Sequence, residues 1–350
     1  MKRLRNNWVL LGFVLFGASL TFAPNKTTWV AHYYNIHVYP YISLVNQGLW
    51  SWIPFSIGDI GYVLLLFLFF RYIKRLKTKK YIFVYVHSMG LLIVLFYVLW
   101  GLHYFKTPLR VERQLSDTIS VEQLTATTSY YANKVRELHE ELSPLSTEKV
   151  TLDTDRSTLL LYATKTMKAY EGRPPNINGK AKATLFPTLL SYMGFGGYAN
   201  PFTHEAQVNT LQPKLRILTT GCHEIAHQWG YAAEDEANYI AIKASTSSSE
   251  KWMSYAGNLL AFQHLINSLH LHNKSEASHI IEKVPKGVLE NIKEIQFFWK
   301  RYQNPFEQLF EKGYDSYLKA NHQQAGIKSY SLVVDLLVDD FNMQHPKSKF

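Results

Sequence analysis

Up to His103 the hydrophobic positions run in unbroken blocks, whereas beyond it they recur at helical spacing among charges. Trp8 to Ala23 is apolar behind Lys2, Arg3 and Arg5. Gly61 to Tyr72 opens a second block after Asp59, and Tyr81 to His103 is a third without Asp, Glu, Lys or Arg. A helix of about 20 apolar residues crosses the hydrocarbon of a bilayer, so three transmembrane helices are predicted, at about 8–23, 58–73 and 81–103. The first block is short and also reads as a signal peptide with a loose cleavage region at Ala18 to Ala23. The apolar blocks behind it favour an uncleaved span. Pro24 to Asp59, rich in Tyr, Trp and Pro with a single Lys, has the composition of membrane-interface material.

After His103 the period becomes that of amphipathic helices. Helices are predicted over Ser120–Leu142 and Asp153–Tyr170, on either side of Pro285 between Glu276 and Phe298, and at Leu332–Asp340 as a closing element. Pro187, Gly194, Gly196 and Gly197 break the pattern between Lys182 and Ala199, marking turns around short extended pieces. Helices resume near Ile217, with a polar interruption at Ser245–Ser249. The fold class is therefore mainly α: a membrane anchor (1–103) and a mostly helical soluble domain (104–350) with a small β element before residue 217.

Charge changes the picture of where this domain lies. The net charge is +10, which by itself suggests nucleic acid or anionic lipid. Yet ten Lys or Arg face one acid through His103, against 27 and 26 beyond it, so the excess sits in two clusters flanking apolar blocks. No nucleic acid partner is expected. Basic clusters stay in the cytoplasm, which predicts a multi-pass inner-membrane protein with a cytoplasmic N-terminus and an extracytoplasmic C-terminal domain. Cys222 is the single cysteine, so neither an internal disulfide nor a cysteine zinc site is available. It reads as a small buried residue of a core helix.

The chemistry is carried by His223-Glu224-Ile225-Ala226-His227. Residues i and i+4 share a helix face, so two imidazoles can converge on one ion, and a Glu beside the first can take a proton from an attacking water. Neutral imidazole suits zinc, and three protein ligands leave one position open. The flanks Cys222, Ile225 and Ala226 are small and apolar, as a buried helix requires. Gly230 stops that helix, and Glu234-Asp235-Glu236-Ala237-Asn238 starts another with acids at its N-terminus, where the helix dipole alone would favour them. A short connection makes the two helices antiparallel and returns an acid towards His227. Glu234, Ala237, Asn238 and Ala241 share one face and Glu236 the other. Glu234 is the expected third ligand, Glu236 the alternative, and Asn238 the residue that orients a histidine.

This pattern resembles gluzincin-type peptidases, in which an E-x-x-x-D or E-x-x-x-N helix supplies the third ligand. Over essentially the whole chain it further resembles an uncharacterised bacterial family of integral-membrane HExxH proteins. The stretches that carry this are Ile53–Asp59, Asn200–Ala206, Tyr314–Lys319 and Gly326–Tyr330. The resemblance implies a zincin-like soluble domain holding one zinc ion. Two departures are Asn238, where gluzincins often have Asp, and the very short link between the motif and the ligand helix.

Peptide hydrolysis needs a donor for the developing oxyanion, and the resemblance points to Tyr314 or Tyr330, with Tyr317 and His322 nearby. Gly194 to Asn209, in particular Gly197, Asn200, Phe202 and Thr203, is either a substrate-pairing edge or an ordinary glycine-rich loop. His204-Glu205 imitates the motif, but position 208 is Val. The expectation is a membrane-anchored zinc metallopeptidase with Glu224 as general base, acting on an extracytoplasmic or membrane-associated peptide or protein, with the lipid bilayer as its other partner. The alternative is an inactive zinc-binding membrane scaffold. An intramembrane protease is disfavoured, because Leu215–Tyr231 is no apolar run of spanning length.

Overall fold

The computed structural model describes residues 12, 29–73, 75, 78–115, 119–321 and 329–345. The chain forms two compact units, Met1–Thr107 with Asn200–Glu205, and Pro108–Ala199 with Ala206–Phe350. Both are mainly helical. Hydropathy places a division near His103, but nothing in it reveals that a six-residue loop from the second half joins the first unit.

In the first unit, a π-helical stretch Val30–Val38 runs into α1 (Tyr39–Trp50), followed by α2 (Ile57–Ile73) and α3 (Lys79–Leu99). Among the described residues one helix is long and apolar enough to cross a membrane, the 19 residues Tyr81–Leu99. The three predicted spans are thus not all found. Residues 8–23 lie outside the described residues except for Gly12, and α2, with 17 residues, is shorter than a span of that kind. The third stops at Leu99, four residues before His103, because Trp100 leaves helical geometry (φ −151°) and a 3-10 turn, Gly101–Phe105, follows.

Asn200–Glu205 belongs to this unit through specific bonds. The Asn200 side-chain oxygen accepts the N–H groups of Phe202 and Thr203 at 2.9 and 3.1 Å, closing a turn. The Glu205 carboxylate accepts the Ile57 and Gly58 N–H groups, at 3.1 and 2.7 Å, and the Thr203 hydroxyl at 2.8 Å. A carboxylate on the orphan donors of a helix N-terminus is favourable both as a cap and against the dipole.

The second unit starts with α4 (Leu109–Glu112), α5 (Val121–Leu142) and α6 (Arg156–Ala169). Ser120 opens α5 with a complete capping box, and Asp155 caps α6 through the Thr158 N–H. Next come β1 (Ala181–Ala183), the short α7 (Pro187–Tyr192), β2 (Gly197–Ala199) and β3 (Ala206–Val208). The sheet order is β1-β3-β2, with β1 parallel and β2 antiparallel to β3, so β2 is an edge strand. Then follow α8 (Lys214–Gln228), α9 (Glu234–Thr246), α10 (Lys251–His272), α11 (Lys274–Glu282), α12 (Lys286–Tyr302), α13 (Glu307–Ala320) and α14 (Ser329–Gln344). α8 is the pivot, packed on α6, α9, α10 and the sheet. A Cβ on its Gly221 would stand 2.7 Å from the Ala163 Cβ, so only glycine lets α6 come this close. Cys222, Ile225 and Ala226 are fully buried, which commits the rest of the motif to another side of α8.

Candidate metal centre

Gly230 (φ +87°) terminates α8 with the paired bonds Gly230 N–H to His227 O (2.9 Å) and Tyr231 N–H to Ala226 O (3.2 Å). This reversal brings α9 back along α8. All three acids of its first turn are buried, but they go to different places. Glu234 faces the histidines, with Oε2 3.1 Å from His223 Nε2 and 3.7 Å from His227 Nε2. Glu236 turns away, and its Oε1 accepts the Leu109 N–H at 2.6 Å, capping α4. Burial raises Asp235 to about 6.

The outer nitrogens fix the tautomer that each ring adopts when neutral. A carbonyl oxygen can only accept, so His227 Nδ1 is the donor in its 2.6 Å bond to the Tyr231 carbonyl. His223 Nδ1 donates to Asn238 Oδ1 at 3.0 Å. A neutral ring that donates from Nδ1 presents a lone pair at Nε2. Two such lone pairs and a carboxylate oxygen meet, all within 4.8 Å of one another. Three acceptors this close repel unless a cation sits among them, either a proton on one ring or a metal ion. The titration behaviour expresses the same demand. Burial holds His223 below the usual imidazole range. Burial also opposes protonation of His227, yet Glu234, Glu224 and the Tyr231 carbonyl outweigh it and raise this ring to about 9. Burial works to raise Glu234, but the two imidazoles hold it well below the usual carboxylate range. Two imidazole nitrogens and one carboxylate oxygen are a donor set that fits zinc.

Glu224 is 4% exposed, and burial lifts its carboxyl to about 8. Its Oε2 has no hydrogen-bond partner. Its Oε1 lies 2.7 Å from where a Cβ on Gly197 would be, so the missing side chain lets edge strand β2 pass directly over the carboxylate. Of the four residues read as a substrate edge, only Gly197 lies on β2. The Asn200 turn and Pro201 end the strand, leaving Asn200, Phe202 and Thr203 in the first unit. The Tyr314 hydroxyl donates to Glu234 Oε1, so it serves the carboxylate rather than standing open as an oxyanion donor. The side chain of Tyr330, and His322, lie outside the described residues.

Residues 34–338 match a family model whose description is a protein of unknown function, DUF3810. The chain belongs to the DUF3810 family. No curated protein and no solved structure matches it. In this DUF3810 chain the match takes in both units and every residue of the centre. Sequence reasoning missed one contributor and one electrostatic neighbour. The Tyr231 carbonyl is a main-chain group that no motif encodes. His264 on α10 lies within electrostatic reach of His223 and Arg216, and burial, with those two, holds it near 4. Only the packing of α10 on α8 brings it there.

Proposed function

We propose that this DUF3810 chain is a membrane-anchored zinc metallopeptidase with its site in the second unit. The observation that carries the reading is the convergence of His223 Nε2, His227 Nε2 and Glu234 Oε2, with both Nδ1 atoms held by acceptors and the unpartnered Oε2 of Glu224 on the same helix. A bound zinc ion supplies Lewis acidity, which polarises a carbonyl and lowers the pKa of water. Glu224 takes a proton from the attacking water as its oxygen bonds to the peptide carbonyl carbon. It then passes that proton to the leaving nitrogen as the C–N bond breaks. A dication nearby favours the carboxylate form of Glu224, which burial alone disfavours. Asn238 and the Tyr231 carbonyl keep the imidazoles in the ligating tautomer. An extended substrate pairs with edge strand β2, where Gly197 allows its backbone close to Glu224.

Localisation is part of this proposal. Tyr81–Leu99 is the candidate span, and the basic clusters at Lys2–Arg5 and Arg71–Lys80 support three spans with the second unit outside the cytoplasm. The likeness of the motif to gluzincins agrees with peptide hydrolysis, and the proposed topology with an extracytoplasmic or membrane-associated peptide or protein as substrate.

The test is the zinc content and peptide hydrolysis of the full chain, wild type beside His223→Ala and Glu224→Gln. Wild type should carry about one zinc, in keeping with a single three-ligand site. His223→Ala should lose it. Glu224→Gln should keep the metal while turnover falls about 10²- to 10⁴-fold. Equal turnover in Glu224→Gln refutes the role of Glu224. Bound zinc with no hydrolysis of any peptide leaves the inactive zinc-binding scaffold.

A further inference from the structure

In the first unit, α1 turns polar side chains inward and an apolar stripe outward. Its inward face consists of Tyr39, Ser43 and Asn46, all buried. Its outward face is a stripe of Tyr41, Leu44, Val45 and Leu49, continued by Trp52, with exposures between 51% and 74%. These positions follow the i, i+3, i+4, i+8 spacing of one helix face, but the apolar side points out. Between Lys26 and Asp59 the sequence has no Asp, Glu, Lys or Arg to solvate such a surface.

Polar side chains on this side of α1 bond to one another along the helix. Gln47 donates to the Ser43 hydroxyl at 2.9 Å, Asn46 Nδ2 to the Ile42 carbonyl at 3.0 Å, and Trp50 Nε1 to Asn46 Oδ1 at 3.2 Å. The segment is also fixed to the end of α3. The Tyr34 hydroxyl donates to the Val98 carbonyl at 2.9 Å, and the Tyr39 ring meets His103 edge-on at 4.0 Å between centroids. α3 has the same outward apolar character, with Val84, Leu91 and Ile93 all more than half exposed.

We propose that α1 is a lipid-facing helix, with the Tyr41–Leu44–Val45–Leu49 stripe and Trp52 seated in the apolar part of a bilayer beside α3. The occupant is lipid rather than protein because α1 is tied through Tyr34 and Tyr39 to the end of the candidate span, which is equally apolar outside, and no charge interrupts the stripe. A protein interface would carry a polar rim. At 12 residues, about 18 Å of helix, α1 escapes any search for spanning segments. This inference rests on the membrane anchor of the proposed function and not on the zinc reading.

The test uses the full chain in phosphatidylcholine vesicles. A nitroxide is attached in turn to Tyr41→Cys, Leu44→Cys and Leu49→Cys, to Ile93→Cys in α3, and to Leu271→Cys, which is 83% exposed on α10, as the water reference. The one native cysteine, Cys222, is fully buried, so the wild-type chain is the unlabelled blank. Collision with dissolved oxygen reports lipid, and collision with a water-soluble nickel chelate reports water. The three α1 positions should show the raised oxygen-to-nickel ratio of Ile93→Cys. A ratio equal to that of Leu271→Cys, or shielding from both reagents by a second copy or a partner protein, overturns the proposal. So does a water-like ratio at Ile93→Cys itself.

Discussion

The Tyr314 hydroxyl donates to Oε1 of Glu234, and this turns Oε2 of the same carboxylate towards both imidazoles. A residue of α13 thereby bears on which oxygen faces the histidines. The Tyr314 ring is held independently, edge-on to Phe195 at 5.3 Å.

Tyr314→Phe keeps that ring packing and removes only the hydroxyl. Zinc affinity, measured by competition with a chelator, should fall about 10- to 100-fold, as for other groups that orient a metal ligand. Unchanged affinity would mean that Glu234 is positioned by its own helix.

Glu224 gives the metal-free protein a pH dependence of defined sign. Its carboxyl rises from 4.5 to about 8 on folding because it is buried. Below pH 4.5 it is protonated in both states and contributes nothing. Between 4.5 and 8 the folded state binds more protons than the unfolded state, so stability declines as the pH rises, and the full penalty is present above 8. Chemical denaturation of the apo chain at pH 5 and pH 8.5 should show Glu224→Gln gaining on wild type at the higher pH, by on the order of a few kcal/mol. A gap that does not change with pH would show that the group ionises as freely as in water.

The N-terminus of α2 should be sensitive at two positions. A Cβ on Gly58 would stand 2.3 Å from Asn200 Nδ2, so Gly58→Ala must push the Asn200 turn aside, at a cost of about 1–3 kcal/mol. Glu205→Ala removes the acceptor of the Ile57 and Gly58 N–H groups and should cost about 1–2 kcal/mol. Thermal unfolding in detergent measures both. Wild-type melting in the two variants would show that the loop is not held there.

Cys222 should resist alkylation. It is fully buried, and burial pushes its thiol up to about 12. The thiolate is the reactive form, so iodoacetamide at pH 8 should modify the chain only after denaturant is added. Rapid labelling of the native chain would place Cys222 in contact with solvent.

Local rules made much of this legible. Ser120 and Asp155 cap their helices as such residues do, and the break at Pro285 separates α11 from α12. Less legible was α7. Leu189 and Leu190 sit among Pro and Gly signals that read as turns, yet Pro187 at the first helical turn starts a short helix instead. Pro24–Asp59 reads as membrane-interface material by composition, and its helix is hidden because Ser43 and Asn46, which interrupt the apolar pattern, point inward.

The sequence by itself determined the pairing of His223 with His227 beside Glu224, because i and i+4 on a helix are neighbours whatever the rest of the chain does. It determined the reversal at Gly230 for the same reason: a positive φ favours glycine locally. It favoured Glu234 over Glu236 by helix face, but only the tertiary structure showed where Glu236 goes, to the Leu109 N–H 127 residues distant in sequence. The tertiary structure also set Tyr314 on Glu234 across 80 residues and joined Asn200–Glu205 to the first unit. Contacts of that kind follow from how whole elements pack, and packing leaves no periodic trace along the chain.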